Sequence, residues 1–357
     1  MVTTADSEFM QRALFLAERG RGTTTPNPVV GAVVVSADGI VVGQGAHRIA
    51  GGPHAEVFAL DAAGARARGG TLYCTLEPCC HTGRTGPCAE RVAEAGIARV
   101  VAALEDPNPR VAGGGFGYLR ARGVVVETDV KRDAAARQNA PFVTWITKRR
   151  PHVTLKVAVS SDGMAGRADA AVKLTGPAID RAMHRQRAAT DAIAVGSTTV
   201  IVDDPQLTSR LVYRQRPLIR VVFDRRGRVT PCARLFRTLD AGPVIMFVGA
   251  QAEISRNADA LRAAGATVVA LPETGAIGTA LRVLAEREVL SLLVEGGPTL
   301  HRAMWDAGVV DRVQVIETPV HVGDGVSAFV PERRDGDVTR RAYGSDTLVE
   351  WDVHRIN

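Results

Sequence analysis

His54-Ala55-Glu56 is followed further along the chain by Thr75-Leu76-Glu77-Pro78-Cys79-Cys80-His81 and by Pro87-Cys88. One imidazole and two thiols are the soft ligands that hold zinc, and three of them leave its fourth position to water. A glutamate two residues past the histidine stays off the metal and moves protons, the H-x-E…P-C arrangement of zinc-assisted base deamination. Zinc lowers the pKa of its water from ~15.7 to about 7. Glu56 is then expected to take that water's proton and deliver it first to a ring nitrogen, then to departing ammonia.

Local signals place these residues at element ends. Pro53 precedes His54 and sets it at the first turn of a helix, so the carboxylate of Glu56 can approach metal-bound water and not the metal. Pro87 precedes Cys88 in the same way, and the positive end of a helix there favours thiolate over thiol. A structural zinc site built from Cys79, Cys80, His81 and Cys88 is the competing reading, but it lacks the two clean cysteine pairs of such sites. Cys80 and His81 are expected to line the pocket, and Cys74 to pack inside a strand.

The elements around them read as follows. An amphipathic helix spans 8–20, with Phe9, Leu14, Phe15 and Leu16 on its apolar side. Strands at 29–35 and 40–45 flank Asp38-Gly39, a hairpin cue. Helix 54–67, strand 71–76, helix 88–95, and strands 99–104 and 124–128 complete a β-β-α-β-α-β-α-β order, its last helix implied between the final two strands, which predicts one sheet covered on both faces. Residues 138–145 read as a closing helical turn. Lys148-Arg149-Arg150-Pro151 breaks the pattern, so the domains are set at 1–148 and 149–357. Beyond it, strands at 153–160, 192–196, 219–224, 244–249, 267–270, 291–295 and 312–317 alternate with helices at 177–189, 254–264, 276–286 and 298–307. That alternation implies a second α/β domain with a substantially parallel sheet.

Composition excludes several classes. The 357 residues are 46% apolar but only 4% aromatic, which suits two α/β cores packed with small side chains. Four of the five cysteines fall between Cys74 and Cys88, and the odd count argues for metal-bound thiolates over disulfides. Nothing resembles a transmembrane run or a signal peptide, so the protein is expected in the cytoplasm without a membrane partner. The net charge of +6 is scattered, which favours an anionic small molecule over nucleic acid. An RNA-binding deaminase would need aromatic stacking surfaces that this chain lacks.

Eight residues separate Cys79 from Cys88, where nucleoside and transfer-RNA deaminases show P-C-x-x-C. Residues 75–88, with Thr25-Pro26-Asn27-Pro28-Val29-Val30-Gly31, Gly52-Pro53-His54-Ala55-Glu56 and Glu105-Asp106-Pro107-Asn108-Pro109, resemble the bifunctional pyrimidine deaminase/reductase of riboflavin biosynthesis. The resemblance runs along nearly the whole chain. It departs at Cys80, where the family has Ser.

That resemblance implies a cytidine-deaminase-like three-layer α/β/α domain with one zinc. Its substrate would be a phosphorylated diaminopyrimidinone. Asn27, His81, Arg84, Asp106 and Asn108 are then candidates for holding base and phosphate, and Arg84 offers a bidentate fork to an anion. Asn27 and Asn108 each precede a proline and could equally serve as turn residues. Gly113-Gly114-Gly115-Phe116-Gly117 follows a Pro-rich loop and not a strand, so it lacks the context of a dinucleotide fingerprint.

The second half resembles the family's reductase, which implies a dihydrofolate-reductase-like domain using NADPH to open the ribose to ribitol. Lys156-Val157-Ala158, Asp203-Asp204-Pro205 and Val294-Glu295-Gly296-Gly297-Pro298-Thr299-Leu300 carry the likeness. The last stretch reads as strand, bare backbone and helix N-terminus, a phosphate cradle. The resemblance implies Arg187, Leu207, Arg210 and Glu295 as substrate contacts. It implies Val159, Lys173, Thr175, Thr199, Asp203, Arg225, Gly296, Gly297 and Thr299 as cofactor contacts, and a homo-oligomer as the assembly. The family's Ser-x-Trp-Ile-Thr appears here as Ala171-Val172-Lys173-Leu174-Thr175, which allows a monofunctional deaminase with an altered second domain as the alternative.

Overall fold

A computed structural model describes residues 3–80, 86–109, 111–332 and 338–353. The chain divides into two compact units, the first running through Arg149 and the second starting at Arg150.

The first unit contains, in order, α1 (Thr4–Ala17), β1 (Gly31–Val35), β2 (Val41–Ala46), α2 (Ala55–Ala63), β3 (Thr71–Cys74), α3 (Cys88–Glu94), β4 (Arg99–Ala102), α4 (Gly114–Arg120), β5 (Val125–Glu127), α5 (Arg132–Gln138) and α6 (Ala140–Lys148). Among the described residues the sheet order is β2-β1-β3-β4-β5. β1 runs antiparallel to β2 and β3, while β3, β4 and β5 are parallel.

Two glycines show how the layers close. A Cβ on Gly31 would sit 1.9 Å from the carbonyl oxygen of Ala13 in α1, and one on Gly45 would sit 2.3 Å from that of Ala55 in α2. Gly45 pairs with Ala32, the neighbour of Gly31, and successive strand residues face opposite sides. The two helices therefore cover opposite faces of the sheet, as the three-layer reading requires.

The first helix starts earlier than its pattern implied, because Thr3 and Asp6 form a capping box: Asp6 N donates to Thr3 Oγ1 at 3.2 Å and Thr3 N to Asp6 Oδ2 at 2.7 Å. Phe15, placed by its period on the apolar side, is 68% exposed; Met10, Ala13, Leu14 and Ala17 form the buried stripe. The expected single turn at 138–145 is the junction of two helices. Asn139 there pairs its side chain with the Val29 backbone, Nδ2 donating to Val29 O and Oδ1 accepting from Val29 N, each at 2.9 Å.

The second unit contains β6 (His152–Val159), β7 (Met164–Gly166), α7 (Pro177–Ala189), β8 (Ala192–Gly196), α8 (Ser197–Asp203), β9 (Ile219–Phe223), β10 (Val244–Gly249), α9 (Ala250–Glu253), α10 (Arg256–Ala263), β11 (Ala266–Leu271), α11 (Ala276–Glu286), β12 (Ser291–Val294), α12 (Pro298–Asp306), β13 (Val310–Glu317), β14 (Val326–Ser327), β15 (Thr339–Tyr343) and β16 (Asp346–Asp352). Its main sheet has the order β11-β10-β9-β8-β12-β6-β13-β16-β15. The first seven of these are parallel, and the last two add antiparallel pairs. The antiparallel edge was not anticipated: β15 is mostly exposed and offers no apolar alternation to read. β6 leads off the unit and is flanked by later strands on both sides, so the carboxyl ends of β6, β12 and β8 form a topological switch point.

Candidate active site

β3, the loop after it and the starts of α2 and α3 converge in the first unit. His54 is the N-cap of α2 and Cys88 the first residue of α3, behind Pro87. His54 Nδ1 lies 3.6 Å from Cys79 Sγ and 3.3 Å from Cys88 Sγ, and the three donor atoms fall within 4.8 Å of one another. Cys88 N also donates to Cys79 Sγ at 3.4 Å. The Cys88 thiol, the His54 ring and this N–H, in that order, lower the pKa of the Cys79 thiol well below its usual value. Cys88, buried beside that sulfur, holds its proton more tightly than a free thiol. Two sulfurs at this spacing cannot both carry charge unless a cation lies among them, so the donor set fits a soft divalent metal.

Glu56 lies in the first turn of α2, 3% exposed, and its Oε2 has no hydrogen-bond partner among the described residues. Burial pushes its carboxyl up to about 7. A cavity of about 320 Å³ opens beside it and is lined by Asn27, Asp106 and Asn108 as well as His54, Glu56 and Cys79. The sequence therefore named most of one wall. His81 and Arg84 lie outside the described residues.

Three parts of this site escaped the sequence reading. His47 lines the cavity edge-on to the His54 ring. α6 contributes Phe142, Trp145 and Ile146 as an apolar wall, from a stretch that reads as the run-up to a linker. Glu77, quoted only as part of a motif, is 3% exposed and accepts four backbone N–H groups. Those of Asp106 and Gly113 reach Oε2 at 3.1 and 3.0 Å, and those of Gly115 and Phe116 reach Oε1 at 2.9 and 3.1 Å. The glycine run after Val111 thus serves as an amide cradle for a carboxylate of the same domain. A glutamate in an apolar run and a glycine cluster were both visible; nothing in the sequence paired them.

In the second unit the β6–β12 register sets Leu155 against Val294 and so brings Lys156 beside Glu295. Glu295 takes a bidentate ion pair from Arg187, both contacts at 2.7 Å, and Lys156 Nζ at 3.4 Å. These two cations hold the Glu295 carboxyl far below the usual range despite its burial. Arg187 Nη1 also donates to Thr208 O at 3.2 Å, tying in the loop that carries Leu207 and Arg210. Leu207 is buried and Arg210 exposed.

Gly296 follows at the end of β12, where a Cβ would sit 2.8 Å from Gly196 N. The two strand ends therefore approach too closely for a side chain at Gly296, just ahead of α12, which has Gly297 as its N-cap and Thr299 in its first turn. Thr199 and Asp203 belong to α8, and Val159 closes β6. Arg225 follows β9 and is exposed. Lys173 and Thr175 both engage Asp180 of α7, at 3.1 and 2.5 Å.

Residues 3–104 match the family model of the cytidine and deoxycytidylate deaminase zinc-binding region, and residues 151–348 match that of the RibD C-terminal domain. The class defined by fold and site is a zinc-type deaminase joined in one chain to a reductase. The riboflavin biosynthesis protein RibD of Aquifex aeolicus is 40% identical over 92% of this chain and 90% of its own, and that of Escherichia coli K12 is 39% identical over 89% of each. Among solved structures, a Thermotoga maritima diaminohydroxyphosphoribosylaminopyrimidine deaminase/5-amino-6-(5-phosphoribosylamino)uracil reductase superposes with a TM-score of 0.85 at 33% identity, covering 97% of this chain and 98% of that one. Acinetobacter baumannii RibD gives 0.82 at 34% identity over the same shares. The chain belongs to the RibD family of bifunctional riboflavin-biosynthesis deaminase/reductases. The matches take in both halves, so the departure at residues 171–175 does not make it a deaminase alone.

Proposed function

We propose that the first unit hydrolyses the ring amine of 2,5-diamino-6-(5-phosphoribosylamino)pyrimidin-4-one, and that the second reduces the ribosyl chain of the product to ribityl with NADPH. The observation that carries the deaminase is the convergence of His54 Nδ1, Cys79 Sγ and Cys88 Sγ within 4.8 Å, next to a buried glutamate. Zinc held by these three atoms supplies an acidified water as nucleophile near neutral pH. Glu56 carries two protons in turn on its unpartnered oxygen, the first from the attacking water to the ring nitrogen and the second from the added hydroxyl to the departing amine. Asn27, Asp106 and Asn108 hold the base against the apolar wall of α6, which keeps bulk water away. Binding of the phosphate by His81 and Arg84 rests on sequence.

In the second unit the N-terminus of α12, entered through Gly296 and Gly297 and carrying Thr299, suits a dinucleotide phosphate. Thr199, Asp203, Arg225, Val159, Lys173 and Thr175 complete the proposed cofactor contacts. NADPH supplies the hydride. Arg187 and Glu295 act as a pair that orients the sugar, with Leu207 and Arg210 beside them. No helix among the described residues is long and apolar enough to cross a membrane. A cytoplasmic homo-oligomer acting on this small molecule, without nucleic acid, completes the proposal.

Mass spectrometry of products tests it. Without NADPH the substrate should exchange an amine for an oxo group; with NADPH the product should also gain two hydrogens. Retention of the amine in zinc-loaded protein refutes the first step, and absence of the reduced product refutes the second.

A further inference from the structure

The cavity wall carries a histidine that the deamination chemistry leaves unused. His47 follows β2 and is 2% exposed, and its ring stands edge-on to that of His54 at 5.3 Å between centroids. Its two nitrogens have different neighbours. Nδ1 lies 3.0 Å from the carbonyl oxygen of Pro53, and Nε2 lies 3.2 Å from Asn27 Nδ2. A carbonyl oxygen only accepts, so Nδ1 carries a hydrogen. In a neutral ring Nε2 then has only a lone pair, and whatever faces it must donate. The Asn27 amide can do so only with its nitrogen. Its Oδ1 is left without a protein partner among the described residues, on a side chain that lines the cavity together with Glu56.

We propose that His47 is a positioning residue. Through its Nδ1–H tautomer it fixes the Asn27 amide with the oxygen toward the cavity, and so makes the site selective for a pyrimidine that presents an N–H donor at that edge. The inference rests on the cavity being the deaminase site. The tautomer is imposed by backbone, since the Pro53 carbonyl belongs to the residue before His54, so the polarity of Asn27 is set before any ligand arrives. A reversed amide would turn donors toward the ligand's own N–H and leave Nε2 unpaired, a mismatch that costs the desolvation of a buried polar group. A carbonyl or a bare ring nitrogen at the same edge would meet the fixed oxygen with like polarity and be rejected.

The tautomer can be read without substrate. In zinc-loaded, full-length protein carrying 15N-labelled histidine, long-range 1H–15N spectra should show His47 protonated at Nδ1 and bare at Nε2. A hydrogen on Nε2 overturns the inference. The relay is read by a double-mutant cycle on deamination. His47→Asn keeps a donor for the Pro53 carbonyl but cannot reach Asn27, and Asn27→Leu removes the amide at similar volume. His47→Asn should raise KM for the diaminopyrimidinone phosphate roughly tenfold, as loss of a neutral hydrogen bond does, with kcat changed less and zinc content unchanged. In the Asn27→Leu background the same change should have no further effect. An equal effect in both backgrounds means that His47 acts on the structure alone, and overturns the inference. If His47→Asn does not fold, the wild-type spectrum still decides. Wild-type protein without any deaminase activity fails the functional reading and takes this selectivity with it; active protein with the wrong tautomer fails this inference alone.

Discussion

Cys88 Sγ lies 3.3 Å from His54 Nδ1 although the two are 34 positions apart in the chain. Each sits where a proline delivers the chain into a helix, at the N-cap of α2 and the first residue of α3. The three-donor cluster is thus a meeting of two helix starts with the loop after β3, held in place by the sheet between the layers.

Removing one ligand should therefore act on one activity. Cys88→Ser is expected to lose zinc by elemental analysis and deamination by product assay, while NADPH-dependent reduction of the deaminated intermediate continues. Glu56→Gln should separate metal from chemistry, keeping zinc while deamination falls by about 10²–10⁴-fold.

Glu77 is expected to matter through the loop it holds. Glu77→Gln replaces one acceptor with an NH2 group facing backbone N–H donors, which costs about 1–3 kcal/mol per unsatisfied group. A drop in Tm by calorimetry, with a raised KM for deamination because Asp106 and Asn108 lose their support, checks this. An unchanged Tm would show that the cradle does not depend on the carboxylate.

Among the second unit's ion pairs, Glu295 carries the largest expected penalty. Glu295→Ala leaves Lys156 and Arg187, with side chains only 15% and 17% exposed, facing each other without a counter-charge. Losing one partner of a buried pair typically costs about 3–5 kcal/mol. Denaturant unfolding should show a loss in this range, and NADPH oxidation should fall with it.

Stability should decline on mild acidification. Burial holds His152 and His301 down to about 4, below the ordinary imidazole value of 6.5. Between those values the unfolded chain binds more protons than the folded one, so stability falls as pH drops through the window and is retained above it. Each imidazole contributes a slope of up to about 1.4 kcal/mol per pH unit. Tm measured across the window should follow that slope, and His301→Gln should remove its share.

The sequence made legible whatever is written in consecutive residues. The succession of elements in the first unit, the parallel run of the second and the three donors proposed to hold metal all follow from patterns a few residues long. Phe15 was misplaced because a helical period gives a face but not which part of it the sheet covers. β15 went unread because a strand exposed on both sides carries no alternation. Glu77, His47 and the wall of α6 went unread because each depends on partners in other elements, His47 on Asn27 and Pro53 and Glu77 on the backbone at 106–116, or on the layer closing over it. Lys156 was seen as part of a motif, and its ion pair with Glu295 depends on the β6–β12 register.

Asn139 mimics a strand with its side chain, matching both polar groups of Val29 at the joint between α5 and α6. The aromatic shutter of α6 and the loop bearing Asn27 are consequently riveted together. To swing them apart would sever two buried hydrogen bonds at once, which holds this side of the pocket in one shape.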